Sequence, residues 1–344
     1  MMRIAFLARP ESGNGFYRGI GPMAALAARG HRVRQLPVKD DEPQRPGPLA
    51  ELDVLHVHRY CEEETWRIVR DAKANGAAVV WDQDDFQAAT PRGVAYDRNW
   101  NGFAGDRRLT RMRRLWRHVD LATTPSTHLA EQMARDGAPT PTVIPNYLPD
   151  DLLGPDRQPH DGITIGWTAG LEHAADVERL PIVPVLQRLL DERDDVNVVS
   201  LGLRLGLRSE RYGHSPHVPL QLLTRQLAIF DIGIAPLSDI PFNRCRSDVK
   251  LKEYSAARVP WLASPIGPYT DLGEKQGGRL VTNDRWHEEL VRLIERPKER
   301  QKLAKRASKW VTQQTLGQRA SEWEDAFGVA IERARAAATV TSSG

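Results

Sequence analysis

Apolar residues recur along this chain in short compact runs, each bounded by glycine or charge and most followed by a longer amphipathic stretch. The first run, Arg3 to Leu7, has the length of a buried strand. A glycine-rich polar loop follows, Arg9-Pro-Glu-Ser-Gly-Asn-Gly-Phe-Tyr-Arg-Gly. The pattern then predicts a helix over Pro22–Arg29, ended by Gly30 just past its last turn, and a second strand over His31–Val38. Further strands are expected at Asp53–His58, Ala77–Trp81 and Leu121–Pro125, with helices over Glu62–Asn75, Arg107–His118 and Thr127–Arg135. Ser126 is placed to cap the last of these. Val143–Pro149 closes the alternation.

Asp150–Asp161, rich in Asp, Pro and Gly, reads as a linker. A second alternation begins with a strand at Ile163–Thr168, a helix over Pro184–Glu192 and a strand at Val196–Leu201. Gly202–His217 reads as a loop. A helix over Leu220–Ile229, a strand at Ile232–Ala235, a polar run from Pro241, a helix start near Ser247 or Asp248 and strands at Val259–Ser264 and Gly278–Val281 complete it. From Asp284 onward the pattern is helical, with Trp310, Trp323 and Phe327 as anchors and Ala336–Gly344 expected to fray. The fold class implied is α/β: two doubly wound, Rossmann-like domains facing across a cleft. They are expected over 1–150 and 151–317, with a terminal helix near 318–338 packing back on the first.

The 344 residues are 40% hydrophobic and 27% charged, the composition of a globular chain. A net charge of +3 is too small to argue for nucleic acid. No apolar run nears the roughly 18 residues of a membrane span, and the apolar core after Met-Met-Arg is too short for a signal peptide. Cys61 and Cys245 form no disulfide framework and no zinc spacing, so a reducing, cytoplasmic setting is expected.

The richest chemistry lies between Pro241 and Ser264. Asn243, Arg244 and Arg246 run into a helix start, where N–H groups and the helix dipole favour an anion. Lys250 and Glu253, three apart, share a face of that helix. Lys250 suits a phosphate and Glu253 a ribose diol; the plainer alternative is a surface helix with a solvated Lys/Glu pair. Near the start, Gly13 and Gly15 would let the backbone approach a ligand. Arg18 stands where the dinucleotide fingerprint needs a third glycine, which argues against NAD. Asp82, Asp84 and Asp85 end the fourth strand, at the ligand edge of an open sheet. They suit a base, a hydroxyl contact or a metal, or else one caps the next helix; too few oxygen ligands are present for a metal site. Pro91–Asp106 has no periodicity and reads as a loop over the cleft. Arg107–His118 is a basic amphipathic helix, which suits an anionic membrane surface, a polyanion, or simply an outer helix carrying arginines.

Taken together, Gly-Asn-Gly-Phe-Tyr-Arg18, Leu-Ala-Ala-Arg-Gly-His31, Val-Val-Trp-Asp-Gln-Asp-Asp85, Val-Ile-Pro-Asn146, Ile-Gly-Trp-Thr168, Phe-Asp-Ile-Gly-Ile-Ala-Pro-Leu237 and Phe-Asn-Arg-Cys-Arg-Ser-Asp-Val-Lys-Leu-Lys-Glu-Tyr-Ser-Ala257 carry a resemblance. In order and spacing the chain resembles the GT-B glycosyltransferases, specifically the retaining group 1 (GT4-like) family. The resemblance implies a nucleotide-diphosphate sugar as donor substrate, no other cofactor, no metal, and an acceptor hydroxyl of unspecified kind. Glu253 matches the second glutamate of that family's E-x7-E pattern, which holds the ribose. The first would fall on Arg246, where this chain departs from the pattern, leaving Asn243 or Arg244 as replacements. Lys250 and the amides of Ser247, Asp248 and Val249 resemble the diphosphate cradle. Trp167, Thr168 and His173 take the loop where the family carries Arg and Lys. Gly13 and Gly15 resemble the loop approaching the donor phosphates, with Tyr17, Arg18 and Arg59 on the acceptor side. Asp84 and Asp85 fall near the family's active-site histidine, and with Lys250 are the catalytic candidates. No nucleic acid is expected, and peripheral contact with a membrane inner face would run through Arg107–His118. A catalytically silent sugar-nucleotide binding module and a sugar-nucleotide epimerase are the alternatives.

Overall fold

The computed structural model describes every residue except 10–12, 40–41, 45–46, 48, 92–102, 140, 156–158, 217–218 and 343–344. Its centre is a pair of six-stranded parallel sheets, one per lobe. In the N-terminal lobe these are β1 (Arg3–Leu7), β2 (Arg32–Gln35), β3 (Val54–His58), β4 (Ala78–Asp82), β5 (Leu121–Thr124) and β6 (Pro141–Val143), in the order β2-β1-β3-β4-β5-β6. The C-terminal lobe holds β7 (Ile163–Ala169), β8 (Val196–Gly202), β9 (Tyr212–Ser215), β10 (Ile232–Ala235), β11 (Trp261–Ala263) and β12 (Gly278–Leu280), ordered β9-β8-β7-β10-β11-β12. The second order is that of doubly wound dinucleotide-binding sheets, whose ligand crevice opens where successive connections leave in opposite directions.

Central strands β3, β4, β5 and β10 are buried at every residue, and apolar residues dominate them, broken only by the buried polar groups His56, His58, Asp82, Thr123 and Thr124. Strand β9 was expected to be loop. It pairs only with β8, and an edge strand of Tyr-Gly-His-Ser carries no apolar signature.

From Gly13 onward the glycine-rich stretch after β1 is helical rather than a loop. Gly13–Gly15, the π-helical Phe16–Ile20 and Gly21–Ala28 run on as one helix, α1. Two of its glycines serve packing: a Cβ at Gly19 would lie 2.5 Å from that of Ala8, and one at Gly21 would lie 2.7 Å from Leu316 Cδ1. The wider π turn also turns Tyr17 and Arg18 inward, and both are buried.

Helices α2 (Glu63–Ala74), α3 (Phe103–Trp116) and α4 (Thr127–Asp136) cover the first sheet. Ser126 caps α4, its Oγ accepting from the Leu129 N–H at 3.4 Å. Helix α3 turns Met112, Leu115 and Trp116 into the core, while Arg108 and Arg114 pair with Glu62 and Glu63. Most of the Pro91–Asp106 loop assignment lies outside the described residues, and Phe103 already belongs to α3. The second sheet carries α5 (Ala174–Arg179), α6 (Ile182–Glu192), α7 (Leu220–Leu227), α8 (Pro241–Arg244), α9 (Val249–Ala256), α10 (Trp286–Glu295) and α11 (Pro297–Val311).

The chain then crosses back through α12 (Leu316–Arg319) and α13 (Ser321–Ser342). Trp323, Phe327 and Ala330 are buried with Ile4, Phe6, Val54 and Val80 of the first sheet. Each such aromatic contributes roughly 1.5–3 kcal/mol by burial. Trp310 packs instead in the second lobe, and α13 continues helical past Ala336. No helix among the described residues is long and apolar enough to cross a membrane.

Candidate active site

The carboxyl ends of the two sheets meet across the interlobe cleft. On the N-terminal side, β3 ends in His58 and Arg59. Arg59 has φ +65°, a left-handed backbone that costs a non-glycine residue about 1–3 kcal/mol and persists where surrounding contacts enforce it. Its guanidinium pairs with Asp84 through Nε and with Asp85 through Nη2 at 2.5 Å. His58 Nε2 is 3.1 Å from Asp84 Oδ1, and the Asn14 side chain reaches Asp85 at 3.5 Å. Burial pushes both carboxyls up. Arg59 and His58 outweigh it at Asp84, which sits well below the usual range, whereas Asp85 stays raised, with the Asp84 charge adding to its burial.

Arg18, expected on the acceptor side, is wholly buried instead. Its guanidinium grips Asp82 through Nε at 3.0 Å and Nη2 at 2.6 Å, gives Nη1 to Ile144 O and Asn146 Oδ1, and lies 4.7 Å from the Trp323 ring centre. Thr123 Oγ1 donates to Asp82 as well, at 2.6 Å. This is a structural post joining α1, β4, β5 and α13, closed to any ligand.

On the opposite side, Lys250 of α9 donates from Nζ to the Thr168 carbonyl and to Thr168 Oγ1, at the end of β7. Burial lowers its pKa to about 8, against the opposing pull of Glu253. Glu253 accepts a 2.7 Å bond from the Tyr17 hydroxyl of the other lobe. Burial keeps its carboxyl raised despite Lys250. Thr168 is fixed from behind by Tyr254 Oη, which accepts from its N–H at 3.0 Å and donates to Ile234 O. Ser247 and Val249 stand at the start of α9, with Ser247 Oγ accepting from Asn146 Nδ2 at 3.1 Å. Asp248 occupies the N-cap position without a capping bond and pairs with buried Lys252 at 2.9 Å. Gly13 fronts open space, with nothing within 4 Å of a Cβ placed there. Gly15 is buried two residues further along α1.

Two expected donor residues are spent elsewhere. Asn243 is buried and donates to Asp176 Oδ1 at 2.8 Å and to Ser238 O. Arg244 pairs with Asp239 on the surface, about half exposed. Counted eight positions back from Glu253, the first place in the pattern falls on Cys245, not Arg246; Cys245 is buried in the N-terminal core, so that place carries no polar group toward the cleft. His173, expected beside the donor, is fully buried against Trp167. Its Nδ1 donates to Asp176 Oδ2 at 2.7 Å, leaving Nε2 as a lone pair with no hydrogen-bond partner among the described residues. Burial and the Arg246 charge keep this ring neutral.

Sequence reasoning missed Glu172. It meets Arg246 Nη2 at 2.9 Å, and burial, which would raise its carboxyl, yields to the Arg246 charge, leaving it at about 2. Asp85 of the N-terminal lobe lies within electrostatic reach of both. The signal was a carboxylate directly beside His173 in the loop after β7. Among the described residues no three His, Cys, Asp or Glu side chains are grouped to hold a metal.

No family model matches the chain, and no curated protein matches it by sequence. Solved structures do match. Sucrose-phosphate synthase from Thermosynechococcus elongatus is 13% identical over the whole of both chains, with TM-score 0.64. An alpha-glucosyltransferase in complex with UDP is 13% identical over 95% of this chain and 100% of its own, with TM-score 0.65. Anabaena HepE in complex with UDP-glucose is 15% identical over 94% and 100%, with TM-score 0.62. The chain has the GT-B fold. At such low identity the likeness speaks for architecture, and the chemistry must come from this chain's own residues.

Proposed function

We propose that the chain is a glycosyltransferase that moves a sugar from a nucleotide-diphosphate sugar to an acceptor hydroxyl. The observation that carries this reading is the placement of Lys250 and Glu253. Both stand on α9 at the interlobe cleft, one against Thr168 of β7 and the other against Tyr17 of the opposite lobe. The reaction must stabilise a departing diphosphate, and preorganised cations and first-turn N–H groups meet that need. In this reading Lys250 and the amides from Ser247 to Val249 receive the diphosphate, and Glu253 exchanges Tyr17 for the ribose hydroxyls. Residues 151–317 form the donor lobe and 1–150 the acceptor lobe, with Arg59, Asp84 and Asp85 lining the acceptor side. The UDP and UDP-glucose named with the structural neighbours support a nucleotide-sugar donor.

Metal independence and retention of configuration belong to the same proposal, as the group 1 resemblance implies, and so does a reducing compartment, where Cys61 and Cys245 stay free thiols. Retention is checked by following the product anomer by NMR. The donor site is tested by titrating wild type, Lys250→Ala and Glu253→Ala with UDP- and GDP-sugars. Each variant is expected to lose at least about tenfold in affinity; unchanged binding in both removes the donor assignment.

A further inference from the structure

The Arg246–Glu172 pair has no part in the reading above, yet it stands at the same cleft. Arg246 lies between α8 and α9 with its guanidinium 5.5 Å from the Phe242 ring centre. One amino group meets Glu172; the other, Nη1, is buried with no hydrogen-bond partner among the described residues. The two side chains are 18% and 22% exposed, and Asp85 of the other lobe lies within electrostatic reach of both. Glu172 comes from the loop after β7, the strand end that also holds Lys250, and its charge acts on both Arg246 and Lys250. A carboxylate beside two cations sits where an anion belongs.

The charge balance shows why this matters. Each cation here is already met by carboxylates: Arg59 by Asp84 and Asp85, Arg246 by Glu172, and Lys250 by the charges of Glu253, Glu172 and Asp176. A nucleoside diphosphate brings further negative charge, so the free cleft is not poised to accept it. Glu172 is the carboxylate free to leave. Its side chain folds back over Gly170, where an added Cβ would lie 2.2 Å from Oε2, and only flexible side-chain atoms stand in the way. Gly170 has φ −67° and ψ 172°, open to any residue.

We propose that Arg246 is a positioning cation for the leaving diphosphate, and that Glu172 holds its place in the free protein and is displaced when a nucleoside diphosphate binds. The inference rests on the donor-site reading above. Arg246 then supplies charge that the loop after β7, with Glu172 in it, does not.

Calorimetric titration of the full chain with UDP and with GDP tests this, with thermal unfolding confirming that each variant is folded. Glu172→Gln removes the competing charge. Gly170→Ala keeps both charges and pushes Glu172 out by sterics alone. Both are expected to tighten binding of whichever nucleotide the wild type takes, by roughly tenfold. Arg246→Gln is expected to weaken it by at least about tenfold, with Arg246→Lys between. The proposal is overturned if wild type binds and the first two variants bind equally or more weakly, the outcome for a purely structural pair. If wild type and every variant bind neither UDP nor GDP, the donor-site reading itself falls, and this inference with it.

Discussion

Two arginine–carboxylate pairs in this protein use the same chemistry for opposite ends. Arg18–Asp82 is 0% exposed on both sides, and all three guanidinium nitrogens donate within the fold. Arg246–Glu172 is partly exposed and leaves an amino group with no hydrogen-bond partner among the described residues. Saturation, rather than charge or proximity, separates them. A sealed pair with every guanidinium nitrogen bonded holds elements together; a pair with an unbonded nitrogen has something left to offer a ligand.

The sharpest way to break this comparison is to cut the sealed pair. Asp82→Ala leaves Arg18 charged and unpaired in the core and is expected to cost about 3–5 kcal/mol in denaturant unfolding. A loss below about 1 kcal/mol would mean the pair is not the post it is taken for.

Next comes Lys250, the cation proposed to receive the diphosphate. Lys250→Met is expected to lower the transfer rate about 10²–10³-fold while leaving the unfolding midpoint close to wild type. A third handle is pH. With its pKa near 8, Lys250 sheds its proton as pH rises through that value, and the proton favours the diphosphate. Nucleoside-diphosphate affinity is therefore expected to fall several-fold between about pH 7 and 9.5, and a flat profile in wild type would exclude Lys250 as the contact.

The mildest change at neutral pH concerns His56, buried among Phe6, Trp323 and Phe327 with both ring nitrogens unpartnered. Burial lowers its pKa to about 3 from 6.5. Below pH 6.5 the unfolded chain therefore takes up a proton that the folded chain refuses, and stability drops by up to about 1.4 kcal/mol per pH unit until near pH 3. His56→Phe is expected to stay within about 0.5 kcal/mol of wild type at pH 7 and to flatten that acid loss in pH-dependent unfolding.

How far such differences show in the sequence depends on distance along the chain. The strands β1, β3, β4, β5 and β10 announce themselves because burial on both faces demands short runs rich in apolar residues. Ser126 is legible as a cap because its partner, Leu129, is three residues away. Arg18 is not, since Asp82 lies 64 residues off and nothing local says they meet. Glu253 and Tyr17 stand 236 apart. Gly13 and Gly15 read as a backbone approach to phosphate, but nothing local says that Gly19 and Gly21 are held small by Ala8 and Leu316. Asn243 and Arg244 look like anion ligands in a row of polar letters; only the fold shows that Asp176 and Asp239 hold them first.

Hydrogen–deuterium exchange with and without UDP or GDP tests the central claim, a diphosphate held between the lobes, without requiring an acceptor. The account predicts slowed exchange in both Gly13–Ile20 of α1 and Val249–Ala256 of α9. Nucleotide-dependent protection confined to one lobe, or falling away from both segments, would contradict it.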